Sequence, residues 1–253
     1  MRKHALNADR PFLDSPRVKA RIAGFIYLII IVGGIFAQKG VREHLLVSGD
    51  PAATAQNIMA HELLYRMGFA TEVFYLVCAI PMKWFLYELF RVVNNKLAIV
   101  MVLFAAVGAA VQGVVLLGHY APLILLGKEP YLSAFTPTQL QTAAYLSIRM
   151  FDDGYMIALS FFGGFCLIIG YLIMRSTFFP RIIGGVLALE GALYLTNSFA
   201  HFLAPAVGDR VFPFLAVSGL GEVSFCICLL TYGVNAKRWW AQEHIRRAHL
   251  AEA

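Results

Sequence analysis

Carboxylates lie deep inside stretches of chain apolar enough to cross a lipid bilayer: Glu72, Asp152, Asp153, Glu190 and Glu222 each interrupt a hydrophobic run. A charge at the bilayer centre costs at least about 2.5–3.5 kcal/mol, so such residues face a bundle interior or a wet cavity rather than lipid. They limit how the helices can pack and mark where chemistry can occur.

The runs cover residues 20–37, 63–90, 97–126, 143–174, 181–203 and 212–235. Each approaches or exceeds the roughly 20 residues that span the hydrocarbon core. The chain is 59% apolar and 14% charged, against roughly 25% charged residues in a soluble domain. These features predict an all-α polytopic membrane protein, a six-helix transmembrane bundle in the lipid bilayer. The second to fourth runs are longer than a span requires, which predicts tilt or kinks. Pro81 should bend the second, Pro122 end or kink the third, and Pro180 start the fifth, where its missing N–H costs little. Basic residues precede the first run, as in a signal peptide. The run is long for a signal and no A-x-A site follows, so it is read as a retained helix.

Lysine and arginine placement sets the orientation. Arg2, Lys3, Arg10, Arg17, Lys19, Arg21, Arg91, Lys96, Arg175, Arg181, Lys237, Arg238, Arg246 and Arg247 would share one side, and Lys39, Arg42, Lys128 and Arg210 the other. Both termini are therefore expected in the cytoplasm. The expected organisation is a cytoplasmic N-terminal tail over 1–18, a six-helix transmembrane domain over 19–236, and a cytoplasmic basic tail over 237–253. Trp239 and Trp240, beside Lys237 and Arg238, read as an interfacial anchor. The net charge of +6 is spread over the ends of the runs rather than gathered into a phosphate-binding patch, so nucleic acid is not an expected partner. Cys78, Cys166, Cys226 and Cys228 lie in apolar segments without a C-x-x-C pair, and read as small core residues. Residues 38–62 predict a short amphipathic helix, with a turn at Ser48-Gly49-Asp50-Pro51. A further helix is expected to start near Thr136. Gly184, Ala188 and Ala192 recur every fourth residue, a spacing that permits close helix packing.

Helical spacing shows which polar residues share a face, since positions seven or eleven apart lie within about 20°. His61, Tyr65 and Glu72 form one stripe, which Lys83 continues unless Pro81 shifts the register. Gln112 and His119 form a second. Tyr145, Arg149, Asp153 and Ser160 form a third, with Asp152 beside it. Glu190, Tyr194, Asn197 and His201 form a fourth, and Ser218, Glu222 and Cys226 a fifth. With the orientation above, His61, His119 and His201 fall near the outer helix ends, and Glu72, Glu190 and Glu222 nearer the midplane. The stripes predict one outward-facing polar cavity. Plainer roles stand beside this one. Arg149 and Asp153, four apart, can simply neutralise each other; Glu190 and Glu222 can serve helix packing; the three histidines can be interfacial. A zinc site of His61, His119 and His201 with a carboxylate lacks any local motif such as H-E-x-x-H. No P-loop, G-x-S-x-G or Rossmann glycine pattern is present, and no motif names a cofactor.

Several segments carry a family likeness: Arg21-Ile22-Ala23-Gly24-Phe25-Ile26-Tyr27-Leu28, Phe161-Phe162-Gly163, Gly170-Tyr171-Leu172, Arg175-Ser176, Pro180-Arg181-Ile182-Ile183-Gly184 and Tyr194-Leu195, together with Glu62 and Arg66. They resemble the bacterial membrane family termed domain of unknown function 4386, over residues 17–235. The Ser-x-x-x-Pro-Arg-x-x-Gly stretch is the most distinctive part. The resemblance implies an integral protein of the bacterial inner membrane, and no activity, substrate or catalytic residue. It also implies a small or apolar residue where Glu190 stands, which would make that glutamate particular to this chain and weaken it as a core functional residue.

Three functions fit these residues. Midplane carboxylates suit binding or transport of a small cationic or amphiphilic molecule, with a homodimer as one way to enlarge a six-helix unit. A buried acid such as Glu72 or Asp153 with a histidine base suits an intramembrane enzyme acting on a lipid or isoprenoid. Packing networks alone suit a non-catalytic partner in a membrane complex.

Overall fold

The computed structural model describes residues 15–251, apart from the side chains of 205, 207–218, 249 and 250. Arg2, Lys3, Arg10, Arg210 and Ser218, used in the sequence reading, lie outside the described residues or side chains. Every regular element described is helical: α1 (Pro16–Ile35), a π-helical segment (Phe36–Arg42), α2 (Glu43–Leu45), α3 (Pro51–Ala60), α4 (Glu62–Phe90), α5 (Asn95–Leu125), a 3-10 turn (Pro130–Ala134), α6 (Pro137–Arg175), α7 (Arg181–Leu203), α8 (Pro205–Leu230) and α9 (Ala236–Ala251).

Local chemistry accounts for most helix ends. The Asp50 carboxylate accepts from the Ala53 amide at 2.9 Å, with Pro51 at the first helical position of α3. The amides of Leu97 and Arg238 donate to the side chains of Asn94 and Asn235, capping α5 and α9. Thr136 and Gln139 cap α6 reciprocally: the Thr136 amide donates to Gln139 Oε1 and the Gln139 amide to Thr136 Oγ1. After α8, Gly233 at φ +62° donates its amide to the Cys228 carbonyl at 2.7 Å, a glycine C-cap in the left-handed region. Gly49, at φ +78°, makes the turn expected before Pro51.

Five helical stretches are long and apolar enough to cross a membrane: Pro16–Leu45, Glu62–Phe90, Asn95–Leu125, Pro137–Arg175 and Arg181–Leu203. The apolar part of α8 that is described is shorter, Gly219–Leu230. Many large apolar side chains on these helices stay exposed, including Phe25, Val77, Ile80, Leu117, Met150 and Leu189. That surface would make a soluble protein aggregate and suits lipid. Pro81 and Pro122 sit inside continuous helices rather than ending them.

The chain divides into two compact units. The first comprises Met1–Leu28, Ile80–Ala105 and Phe162–Ala253, the second Ile29–Ala79 and Ala106–Phe161. In the first, α6 and α7 run antiparallel with their backbones touching at glycines. A Cβ on Gly170 would lie 2.6 Å from the Gly184 carbonyl oxygen, and one on Gly191 would lie 2.6 Å from that of Gly163. In α9, Trp239 is buried and donates its indole N–H to the Leu89 carbonyl at 2.9 Å. It therefore packs inside the unit and is not the interfacial anchor that its basic neighbours implied. In the second unit, Val41, Leu45, Ile58, Tyr65 and Ile148 form a buried apolar core.

Candidate functional site

Polar side chains collect into one cluster in each unit. In the first, Glu222 on α8 accepts from two tyrosines. The Tyr27 hydroxyl of α1 donates to Oε2 at 2.9 Å, and the Tyr194 hydroxyl of α7 lies 3.0 Å from Oε1. The same Tyr194 oxygen is 3.1 Å from Glu190 Oε1, one helical turn earlier. Glu190 is 1% exposed, and its Oε2 is buried with no hydrogen-bond partner among the described residues. Gly221 makes room for it, because a Cβ there would collide with that oxygen. Lys83 of α4 places its ammonium 3.6 Å from the ring centre of Phe165, with Phe162 at 5.4 Å and Tyr27 at 6.0 Å. Glu222 lies within electrostatic range of it. Carboxyls, phenols and an aromatic-seated cation thus come together from four helices.

In the second unit, Glu72 of α4 is 1% exposed and takes two partners. Arg42 donates from Nη1 to Oε1, and His119 Nδ1 of α5 lies 2.5 Å from Oε2. Arg42 also donates to Gln38 Oε1 and stacks its guanidinium 4.7 Å from the Phe151 ring centre. The His119 ring is edge-on to Tyr65 at 4.8 Å, and the Tyr65 hydroxyl donates to the His119 carbonyl at 2.7 Å. Nε2 of His119 is buried without a hydrogen-bond partner among the described residues. Nearby, Gln112 donates to the Tyr75 hydroxyl at 2.7 Å.

The sequence reading anticipated one cavity shared by Glu72, Asp153, Glu190 and Glu222. The contacts instead divide them: Glu190 with Glu222, and Glu72 with Arg42 and His119. A helical stripe records angle and not partner. Lys83 and Glu72 share a stripe, yet eleven residues put them about 16 Å apart along the axis. Arg149 makes a loose ion pair with Asp152, at 3.9 Å; Arg149 is exposed and Asp152 half-buried. Asp153 is exposed as well, and Asn197 is buried on α7. The three histidines do not assemble. His61 is exposed at the start of α4 with its ring 6.5 Å from His44, His119 is committed to Glu72, and His201 packs edge-on to Phe202. Among the described residues, no group of three or more His, Cys, Asp or Glu side chains has a metal-holding arrangement. The four cysteines are free thiols.

Two residues escaped the sequence reading. Arg42 counted as a loop charge because hydropathy ends the first run at residue 37, whereas the helix continues as a π-helical segment through Arg42. Its signal was Gln38 four residues earlier and apolar Val41 and Leu45 around it. Tyr27 lay in an apolar run and in a segment that carries the family likeness, but on none of the polar stripes.

The description Domain of unknown function (DUF4386) matches residues 22–233. The chain belongs to this family. No curated protein and no solved structure matches the chain. Membership in DUF4386 agrees with the likeness read from the sequence and assigns no chemistry to either cluster.

Proposed function

We propose that this DUF4386 protein is a six-span protein of the bacterial inner membrane, with both termini in the cytoplasm, that binds a small organic cation at the Glu190–Glu222 cluster and releases a proton as it does so. The observation that carries the reading is the Tyr194 hydroxyl lying between two buried carboxyls. A hydroxyl has one proton to donate. With Tyr194 donating to Glu222, the contact to Glu190 is a hydrogen bond only when the Glu190 carboxyl supplies a proton. Two adjacent carboxylates repel, which favours keeping one proton between them. A bound cation removes that need, and the proton leaves. The aromatic setting supports a cation of organic character, because Phe162, Phe165 and Tyr27 already surround the Lys83 ammonium. Acid–base enzymology at His119 is the weaker reading, because the Nε2 atom that would act as base is buried.

Tetraphenylphosphonium is a suitable probe. In weakly buffered detergent, the purified protein is expected to bind it with release of about one proton per cation. Glu190→Gln should abolish the proton release, and Glu222→Gln should weaken binding at least about tenfold, or ~1.4 kcal/mol. Equal binding by both variants, without proton release from the parent protein, would reject the assignment.

A further inference from the structure

Resting on the cation reading above, we infer that the seat formed by Phe162, Phe165 and Tyr27 takes a quaternary ammonium group, and that the Lys83 ammonium is its tethered occupant, displaced when the ligand binds. Nζ of Lys83 stands 3.6 Å from the ring centre of Phe165, 5.4 Å from that of Phe162 and 6.0 Å from that of Tyr27. Other contacts hold these rings. Phe162 and Phe165, three residues apart on α6, stack on each other at 5.5 Å, and the Tyr194 ring backs Phe162 at 5.7 Å. Tyr27 is fixed at its hydroxyl by Glu222 and along its ring by Phe225, edge-on at 6.3 Å. The seat therefore keeps its shape when the lysine leaves it.

Hydrogen bonding selects the class of cation. Glu222 lies within electrostatic range of Lys83, but its Oε2 accepts from Tyr27 and its Oε1 faces the Tyr194 hydroxyl. Among the described residues, the Lys83 ammonium rests on ring faces and has neither a hydrogen-bond acceptor nor an ion-pair partner. A lysine ammonium carries three N–H donors and is strongly hydrated in water, so this seat answers its charge and leaves its donors unmet. A quaternary ammonium has the same charge and no N–H. Ring faces satisfy it completely, which is why aromatic cages select such ions. Lys83 is half-buried, so one side of it is open and its flexible stem has room to withdraw. While it stays, it lowers the apparent affinity of the ligand by the fraction of time that the seat is empty.

The test uses the full chain in micelles, labelled with carbon-13 at lysine, and tetramethylammonium as the probe. The ε-methylene of Lys83, over the face of Phe165, is expected to resonate upfield of other lysines, and Lys83→Arg identifies it by removing the signal. Added tetramethylammonium should return it to the ordinary lysine position. Lys83→Met should bind the probe at least about tenfold more tightly than the parent, because the competitor is gone. Lys83→Arg, which keeps a cation on the rings, should bind about as the parent does. Methylammonium, with three N–H groups, should bind at least about tenfold more weakly than the probe. Tighter binding by Lys83→Met with no movement of the lysine signal in the parent would mean simple charge repulsion and overturn the inference. So would equal binding of the two amines, or no binding by parent and variant alike. The signal in the parent decides the matter even where Lys83→Met does not fold. Displacement of Lys83 without proton release would keep the seat and reject the Glu190 proton, whereas proton release on tetraphenylphosphonium binding with Lys83 unmoved by tetramethylammonium would do the reverse.

Discussion

Glu72 answers two neighbours, and its removal should cost more than any hydrogen bond it makes. Glu72→Leu leaves Arg42, only 8% exposed, as an unpaired charge. Breaking a buried pair from one side costs about 3–5 kcal/mol, whereas replacing both partners with apolar groups is often neutral. The expected result is a marked fall in the thermal unfolding midpoint in detergent for Glu72→Leu, most of it recovered in the double variant with Arg42→Met. A double variant no more stable than the single would mean that the pair does not carry the cost. Sequence periodicity already placed Glu72 on a polar face, and His119 on another. It could not reveal Arg42, because hydropathy treats an arginine thirty residues away as a loop charge, and only packing joins it to its carboxylate.

Helix–helix contact supplies the next tests. Gly163 and Gly170 on α6 face Gly191 and Gly184 on α7, so glycines seven apart on one helix meet glycines seven apart on the other, in antiparallel register. The sequence reading found small residues every fourth position on α7. The contact uses Gly184 and Ala188 of that pattern, and Gly191, seven residues after Gly184 and outside it. Gly170→Leu would push against backbone, which side-chain motion cannot relieve, and should destabilise by about 1–3 kcal/mol or more. Gly185→Ala, one residue from Gly184 but with nothing within 4 Å of its would-be Cβ, should be stabilising by up to about 1 kcal/mol. Thermal unfolding of the two variants separates contact glycines from merely helical ones. The α9 helix makes a pH prediction. Burial alone raises the Glu243 carboxyl, but hydrogen bonds from Arg246 and Arg247 outweigh it, so the group sits below the ordinary carboxylate value. A lowered folded value stabilises the docked helix at neutral pH, and that stabilisation is lost as the pH falls through it. Hydrogen exchange at the Trp239 indole N–H, bonded to the Leu89 carbonyl, should accelerate in that acid range. The Glu243→Gln variant should exchange faster at neutral pH and show less change on acidification.

For the whole molecule, the exposed apolar side chains on the long helices require a lipid or detergent surround. The protein should stay with membranes through alkaline carbonate washing and leave them only in detergent. Release by carbonate would contradict the membrane assignment. Composition and the length of the apolar runs were enough for this and for the helical class, whereas the family likeness was carried by particular segments, above all the one from Ser176 to Gly184. Those properties reside in the local chain: hydropathy is a sum over neighbours, a cap needs three or four consecutive residues, and a face follows from 3.6 residues per turn. Partnership among buried polar groups is not local. Tyr27 meets Glu222 across 195 residues, and the carboxylates that one-dimensional periodicity put on equivalent stripes separate into two clusters with different companions. Only the packed chain decides that, because the energy of a buried charge depends on which donor stands within about 3 Å of it, and no spacing along the sequence encodes that distance.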